Sequence, residues 1–390
     1  MLGFRLLPLQ MVPAMNLDQL QTPALLLERP VLDRNITAMT GRARKHGVAL
    51  RPHMKTAKSA KVASLATAGN KGGICVSTVA EAEYFARHGF RDITYAFGIV
   101  PQKIERLAKL RADGVSIRLL VDDVANVKAV AERAKALGAS FDVQIEIDSG
   151  QNRGGLKPDD PKLGEVGWAL AGSGSLRFLG VLTHGGHSYD CRGADACRRV
   201  AEEERVAIVG AAERLAAAGL PCAEVSPGAT PNAVHGERWD GVSEIRPGNY
   251  MFFDLHQTGI GSCSADEIAV SVLATVIGHN RANNRIVIDA GGLALSKDIG
   301  ANEPLPNTGY GWVMDLSGKK RIGDLRVGRV SQEHGQIESD SPMPFDRLPI
   351  GARIRILPNH SCMTAAAYEH YNVLDGGADV VDQWDRINGW

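Results

Sequence analysis

Residues 117–147 read IRLLVDDVANVKAVAERAKALGASFDVQIEI and contain one complete strand–helix–strand unit. The apolar run Ile117–Val121 predicts a buried strand, and the alanine-rich segment Asp123–Leu137 predicts a helix. Gly138 stands where a left-handed residue commonly ends a helix, and Val143–Ile147 predicts the next strand. Such a unit places its two strands side by side and parallel.

The same alternation extends in both directions from this unit. Eight units over roughly 220 residues have the size of a (β/α)8 barrel, the TIM-like fold class that we expect. A doubly wound sheet is the alternative, but no G-x-G-x-x-G motif follows the first strand. The predicted strands are Ala24–Leu27, Val48–Arg51, Gly73–Val76, Ile93–Ala96, Ile117–Val121, Val143–Ile147, Leu179–Thr183 and Ala223–Ser226.

The pattern changes near residue 265. Runs such as Ile268–Ile277, Arg285–Ile288, Gly323–Val330 and Arg353–Leu357 predict strands joined by Gly, Asn and Pro turns, with few helical patterns. We therefore expect an α/β barrel over residues 20–265 and a mostly β domain over residues 266–390. Residues 1–19 are expected to pack on either part.

Composition excludes several classes of protein. Hydrophobic residues make up 44% of the 390 positions and charged residues 23%, which is typical of a globular chain and not of a disordered one. Lys+Arg and Asp+Glu balance at 44 each, so neither nucleic acid nor a membrane surface is expected as a partner. Six cysteines without a C-x-x-C pair favour a reducing compartment, and we expect a cytoplasmic protein. Arg5, Pro8 and Pro13 interrupt the apolar start, which disfavours a signal peptide.

Parallel barrels present functional groups at the carboxyl ends of their strands, so the loops there carry the candidate chemistry. In Arg51–Thr56 (RPHMKT), Lys55 can form a Schiff base at the barrel mouth, and a solvated basic loop is the alternative. In Glu146–Gly155 (EIDSGQNRGG), glycines around Arg153 suit the approach of a flat or anionic ligand, although an ordinary glycine-rich loop has the same composition.

Two further loops follow the next predicted strands. Thr183–Tyr189 (THGGHSY) offers two histidines and a tyrosine for acid–base or stacking roles, with hydrogen-bonded loop histidines as the alternative. Ser226–Asn232 (SPGATPN) suits backbone binding of a phosphate, although a plain turn uses the same residues.

The segment Pro358–Thr364 (PNHSCMT) carries a candidate metal pair. On a strand, residues i and i+2 face the same way, so His360 and Cys362 would form half of a tetrahedral zinc site. The H-x-C spacing alone is weak evidence for a metal site, because a buried cysteine usually only packs against neighbouring side chains. His334 is a candidate to orient one of the ligands.

The six motifs RPHMKTAKS, EIDSGQNRGG, THGGHSYD, SPGATPNA, RPGNYMFFD and LPNHSCMT occur in this order between about Leu20 and Trp390. As a set they resemble the D-threonine aldolase and D-serine dehydratase family. That family consists of fold-type III pyridoxal phosphate (PLP) enzymes, with an alanine-racemase-like barrel followed by a β domain.

The resemblance implies roles for individual residues. Lys55 would be the Schiff-base lysine, Tyr189 would contact the substrate, and His360 and Cys362 would bind a divalent metal. A His-x-Cys pair is typical of the family's D-serine and D-threo-3-hydroxyaspartate dehydratases, whereas its aldolases typically have His-x-Asp. The other implied cofactor contacts are Arg153 at the ring or its 3′ oxygen, His184, the phosphate-binding Gly228, Ala229 and Thr230, and Tyr250 close to them.

The implied activity is that of a PLP- and divalent-metal-dependent lyase. The small-molecule substrate would be a 3-hydroxy D-amino acid (D-serine, D-threonine or D-threo-3-hydroxyaspartate), dehydrated to a 2-oxo acid and ammonia. Retro-aldol cleavage is the alternative activity. A racemase and a non-catalytic PLP-binding protein rank below it. A thiolate ligand favours zinc over Mg or Mn, and the family suggests a homodimer. Arg51, Tyr189, His187 and residues 95–98 are unranked candidates for the pocket around the substrate's Cβ.

Overall fold

A computed structural model describes residues 15–70 and 72–390. The prediction about a signal peptide therefore lies almost wholly outside the described residues. The strands, in chain order, are β1 (Met15–Asn16), β2 (Ala24–Glu28), β3 (Ala49–Leu50), β4 (Ile74–Val76), β5 (Asp92–Gly98), β6 (Ser116–Val121), β7 (Phe141–Ile147), β8 (Leu176–Thr183), β9 (Glu224–Ser226), β10 (Glu244–Ile245), β11 (Val270–Asn280), β12 (Arg285–Ile288), β13 (Gly311–Met314), β14 (Arg321–Val330), β15 (Gly335–Glu338), β16 (Arg353–Pro358), β17 (His370–Leu374) and β18 (Asp379–Asp385).

Helices follow most of the strands in the first two thirds of the chain. Within the described ranges, no helix is both long and apolar enough to cross a bilayer. The α-helices are α1 (Arg29–Lys45), α2 (Ala60–Thr67), α3 (Val79–Arg87), α4 (Ile104–Ala112), α5 (Val124–Ala136), α6 (Lys162–Ala171), α7 (Ala194–Ala217), α8 (Thr230–His235), α9 (Leu255–Ile260), α10 (Gly292–Leu295) and α11 (Ser361–Ala365).

The quoted stretch folds as β6, α5 and β7, as its pattern predicts. The side chain of Asp123 accepts a hydrogen bond from the Asn126 amide (2.8 Å) and caps the start of α5. Gly138 ends that helix at a φ of 64°, a value that favours glycine. β6 and β7 then pair in parallel, with Leu119 opposite Val143.

Strands β3 to β10 form a closed parallel barrel, which confirms the predicted fold class. The six strands from β4 through β9 pair each with the next in sequence order, and β10 pairs with β3. A bridge between His53 and Cys75 joins β3 to β4, and the Ser243 amide donates to the Val225 carbonyl (3.0 Å) to join β9 to β10. A helix follows each strand, so eight β/α units surround the barrel axis.

The predicted strand at Ala24–Leu27 is not part of this barrel, and that expectation was wrong. It forms β2, which pairs with β11 and β17 of the second sheet. Its unbroken leucine run resembles a parallel barrel strand because both of its faces are buried. The barrel's eighth strand is instead Glu244–Ile245, which is too short and too polar to form an apolar run.

The C-terminal part contains a second, antiparallel barrel. Strands β11, β12, β15, β14, β13 and β16 pair in this order, and β16 pairs back onto β11 to close the ring. β2, β17, β18 and β1 extend the sheet from β11. The domain bounds 20–265 and 266–390 stay a prediction, to which the pairing adds that residues 15–16 and 24–28 join the second sheet.

Arg51 takes part in a charged network in the interior of the parallel barrel. Its guanidinium contacts Glu244 and Asp92, both at 2.8 Å, and is almost fully buried. Glu244 begins β10 and Asp92 begins β5, so the network lies toward the amino ends of the strands. Arg51 is therefore a structural residue and does not line the ligand cavity described next.

Candidate active site

A cavity of about 640 Å³ opens at the carboxyl ends of the barrel strands and reaches the C-terminal domain. Tyr250 is fully buried and does not line it. The other nine residues to which the family resemblance assigns a role do line it: Lys55, Arg153, His184, Tyr189, Gly228, Ala229, Thr230, His360 and Cys362.

Two touching loops form one wall of the cavity. They follow β9 and β10, where barrels commonly bind a phosphate. A Cβ on Gly228 would lie 2.9 Å from the Cβ of Arg246, so only glycine allows this approach. The Tyr250 amide donates to the Thr230 hydroxyl (3.2 Å), while the amides of Ala229 and Thr230 have no acceptor among the described residues. These two amides are available to an anion.

Glu204 of α7 ties this wall to the loop after β8. Its buried carboxylate accepts hydrogen bonds from the Gly185 amide (2.5 Å), the Gly228 amide (3.2 Å) and the Asn232 carboxamide (2.6 Å). Burial raises the pKa of Glu204, and these three donors oppose the rise. One side chain therefore fixes the relative position of two cavity loops.

Lys55 lies in the loop after β3 and is exposed in the cavity. Backbone bonds from Met54 to the Cys75 carbonyl (2.8 Å) and from Cys75 to the Pro52 carbonyl (3.0 Å) hold this loop against β4. The Lys55 amide donates to Nδ1 of His53 (3.4 Å). Burial and the nearby Lys55 charge hold the pKa of His53 well below its usual range, so this ring is neutral.

Aromatic rings form a row across the cavity. His184 donates from Nδ1 to the Gly228 carbonyl in a short hydrogen bond. Burial, with Lys55 nearby, lowers the pKa of His184 to about 3, so the ring is neutral. The His184 and Tyr189 ring centroids lie 6.1 Å apart, and those of Tyr189 and His256 lie 6.0 Å apart.

His360 and Cys362 do not lie on a strand, contrary to the expectation. β16 ends at Pro358, and His360 immediately precedes α11. Asp254, which caps α9, causes this turn by accepting hydrogen bonds from the Ser361 amide (3.0 Å) and hydroxyl (3.3 Å). The Cys362 thiol lies 3.3 Å from the Thr56 hydroxyl, beside Lys55 in the chain.

The donor pair is electrostatically suited to a cation. Burial raises the pKa of the Cys362 thiol, but the adjacent His360 outweighs it and the net shift is downward. Asp298 accepts from Nδ1 of His360 (2.8 Å), which leaves Nε2 for a metal. The hydrogen bond from His360, opposed by burial, lowers the pKa of Asp298 to about 2.

The pair supplies only two protein ligands. Across residues 15–70 and 72–390, no three His, Cys, Asp or Glu side chains converge in a geometry that could hold a metal ion. An imidazole beside a thiolate nevertheless fits a soft divalent cation with open positions for water and substrate. His334, the expected orienting residue, does not line the cavity, and Asp298 holds the histidine instead.

The structure also separates the unranked candidates for the pocket around Cβ. Tyr189 and residues Ala96–Gly98 line the cavity, whereas Arg51 and His187 do not. Sequence reasoning missed the roles of five cavity residues: His53, Thr56, Asp254, His256 and Asp298. Of these, His53, Thr56 and Asp254 belong to two of the six motifs, RPHMKTAKS and RPGNYMFFD, but no spacing rule points to Asp298.

Two family models match this chain. The alanine racemase N-terminal domain covers residues 29–256, and the putative serine dehydratase domain covers residues 269–374. The chain is 43% identical to a D-threo-3-hydroxyaspartate dehydratase of Delftia sp. strain HT23, over 95% of this chain and 98% of that one. It is 32% identical to a D-serine dehydratase of Dictyostelium discoideum, over 96% and 98%.

Solved structures agree with these matches. A D-threo-3-hydroxyaspartate dehydratase in which a cysteine is replaced by alanine, described as the metal-free form, superposes with a TM-score of 0.93, at 42% identity over 96% of this chain and 100% of that one. Another variant of this enzyme has alanine in place of a histidine two positions earlier. A D-threonine aldolase from Filomicrobium marinum has a TM-score of 0.81, at 28% identity over 95% and 96%.

The fold and the cavity define an alanine-racemase-like barrel enzyme with an added antiparallel β-barrel domain. The chain belongs to the D-threonine aldolase and D-serine dehydratase family of fold-type III PLP enzymes. Because these relatives are dehydratases and aldolases, the protein is a PLP-dependent lyase.

Proposed function

We propose that the protein is a dehydratase, or ammonia-lyase, of 3-hydroxy D-amino acids. The reaction removes water across Cα and Cβ, and the resulting enamine hydrolyses to a 2-oxo acid and ammonia. The observation that carries the proposal is the 3.3 Å contact between Cys362 and Thr56. This contact places the candidate metal ligands His360 and Cys362 in the same cavity as Lys55.

The residues present fit PLP. The unpaired amides of Ala229 and Thr230 suit its phosphate, Lys55 suits covalent attachment, and neutral His184 offers a flat ring for stacking. The Arg153 side chain is 57% exposed, and its contact with Glu146 is long, at 3.8 Å. Arg153 is therefore free to approach the ring or its 3′ oxygen. When bound, PLP supplies an electron sink for negative charge at Cα.

The chain's own residues would then perform the proton transfer. The amine of Lys55, once released from the cofactor, takes the Cα proton from the face on which it lies, which selects one enantiomer. His53, whose Nδ1 accepts a hydrogen bond from the Lys55 amide, is neutral and adds no positive charge next to this lysine. His360 and Cys362 would hold the divalent metal, for which we propose zinc. Its Lewis acidity would help the 3-hydroxyl to leave.

Product analysis tests the proposed reaction. With D-threonine, we expect 2-oxobutanoate and ammonia, and we expect a chelator to suppress their formation and added metal to restore it. The assay is repeated with D-serine and D-threo-3-hydroxyaspartate. Glycine and acetaldehyde from D-threonine would instead identify an aldolase, and appearance of the L-isomer would identify a racemase.

Removal of the Asp298 carboxylate is expected to weaken the metal site without disturbing the cofactor. In the Asp298→Ala variant, His360 loses the acceptor that fixes its ring, and metal affinity should fall about 10- to 100-fold. Metal titration of the apo-protein measures this, with Asp346→Ala, a fully exposed site, as the control. Unchanged metal affinity in Asp298→Ala would contradict the proposed metal pair.

We also propose a homodimer located in the cytoplasm. The exposed apolar side chains of Leu293, Ile299 and Met363 lie on segments next to the cavity residues Asp298, Gly300 and Cys362, which supports a subunit contact there. The free thiol of Cys362 at the site supports a reducing compartment.

A further inference from the structure

His256 lines the cavity on the same side as His360. It is the second residue of α9, whose start is capped by Asp254. Its amide donates to the carbonyl of Asn359 (3.1 Å), the residue directly before His360. The backbone therefore fixes the position of His256 relative to the metal pair.

The ring of His256 lies between Tyr189 and the Asp298 loop. Its centroid is 6.0 Å from that of Tyr189. On the other side, a Cβ built on Gly300 would lie 3.6 Å from its Cε1 and Nδ1 atoms, and the Gly300 amide donates to Asp298 (2.8 Å). A substrate whose 3-hydroxyl points at His360 would present its remaining Cβ substituent to this region.

Three other nitrogen donors that line the cavity are already engaged within the protein. Arg246 donates to Ser226 and to the Thr183 carbonyl, His184 to the Gly228 carbonyl, and His360 to Asp298. The ring of His256 makes no hydrogen bond to any part of the chain that the structure describes. Its imidazole is therefore free to donate a hydrogen bond to a substrate group in the part of the cavity next to His360.

The neighbouring residue gives a second, independent sign of a ligand. Gln257 lines the cavity and is 1% exposed, yet its buried amide oxygen has no partner within the described residues. A buried amide without a partner is costly, so a polar ligand group is expected to satisfy it. Because a carboxamide can present either its oxygen or its N–H group, it can also bind a carboxylate.

We propose that His256, assisted by Gln257, recognises a carboxylate on Cβ of the substrate. This inference rests on the proposed function and narrows it. The preferred substrates would be 3-hydroxy D-amino acids with an anionic 3-substituent, ahead of D-serine with hydrogen or D-threonine with methyl at this position. A site built around buried donors discriminates strongly against analogues that lack the acceptor.

Steady-state kinetics of the PLP-loaded, metal-replete enzyme test this. We expect wild type to prefer D-threo-3-hydroxyaspartate over D-serine in kcat/KM. In His256→Ala, we expect kcat/KM for D-threo-3-hydroxyaspartate to fall about 10- to 100-fold, mainly through KM, as for the loss of a hydrogen bond to a charged group. D-Serine turnover should change less than about 3-fold.

Two further variants complete the design. His256→Gln keeps an N–H donor and should recover part of the lost affinity, while His334→Ala, an exposed loop variant, should behave as wild type. Equal losses on both substrates in His256→Ala, or a wild-type preference for D-serine, would overturn the inference alone. Absence of turnover of every 3-hydroxy D-amino acid by wild type would overturn the proposed function and the inference with it.

Discussion

Replacement of Lys55 by alanine is expected to remove covalent cofactor binding and reduce turnover about 10³-fold or more. Lys55 is exposed in the cavity, whereas Lys58, the other lysine of the motif, contacts Glu81 (2.9 Å) and does not line it. We therefore propose Lys55, and not Lys58, as the lysine that attaches the cofactor and acts as base. No other lysine among the described residues lines the cavity, so the substitution removes the side-chain amine that either task requires.

The visible absorbance of lysine-bound pyridoxal and the rate of 2-oxo acid formation measure this effect. Lys55→Arg should lose both signals as well, because a guanidinium keeps the charge but forms no such bond. Lys61→Ala on the exposed face of α2 is the matched control and should retain both. An Lys55→Ala protein that remains yellow and active would refute the assignment of the cofactor lysine.

Two strands, β2 and β10, show how far hydrophobic periodicity predicts this fold. β2 was predicted in the parallel barrel but lies in the second sheet, and β10 completes the barrel instead. Local pattern identified the strand at Ala24–Glu28, but pattern carries no information about pairing partners. Its leucines pack between β11 and β17 rather than in the parallel barrel. The true eighth barrel strand, Glu244–Ile245, has a charged residue that pairs with Arg51 inside the barrel, so it has no apolar signature.

The residues of the candidate site likewise fall into a group that the sequence predicts and a group that it does not. Lys55, Arg153, His184 and Gly228 were predictable together because every parallel barrel strand ends at the same mouth. The contribution of the second domain was not predictable in this way. Asp298 reaches His360 only through the way the chain folds between β12 and β16, and no spacing rule connects residues 62 positions apart.

Removal of the Cys362 thiol is expected to cause a second large loss of turnover. In Cys362→Ala, His360 remains as a lone donor, and one protein ligand is too few to hold a catalytic divalent ion. Turnover should fall on the order of 10³-fold, which corresponds to losing several kcal/mol of Lewis-acid stabilisation. Cofactor absorbance should persist, because Lys55 and the proposed phosphate-binding residues Ala229 and Thr230 lie on other segments of the chain.

Metal content, cofactor absorbance and 2-oxo acid formation measured on one sample separate the two sites. Cys222→Ala is the matched control, because Cys222 precedes β9 at the opposite end of the barrel strands from the cavity. Added metal should restore chelated wild type but not Cys362→Ala. If Cys362→Ala instead keeps both its metal and its activity, the thiol only packs against Thr56, and the ion must be held by residues other than this pair.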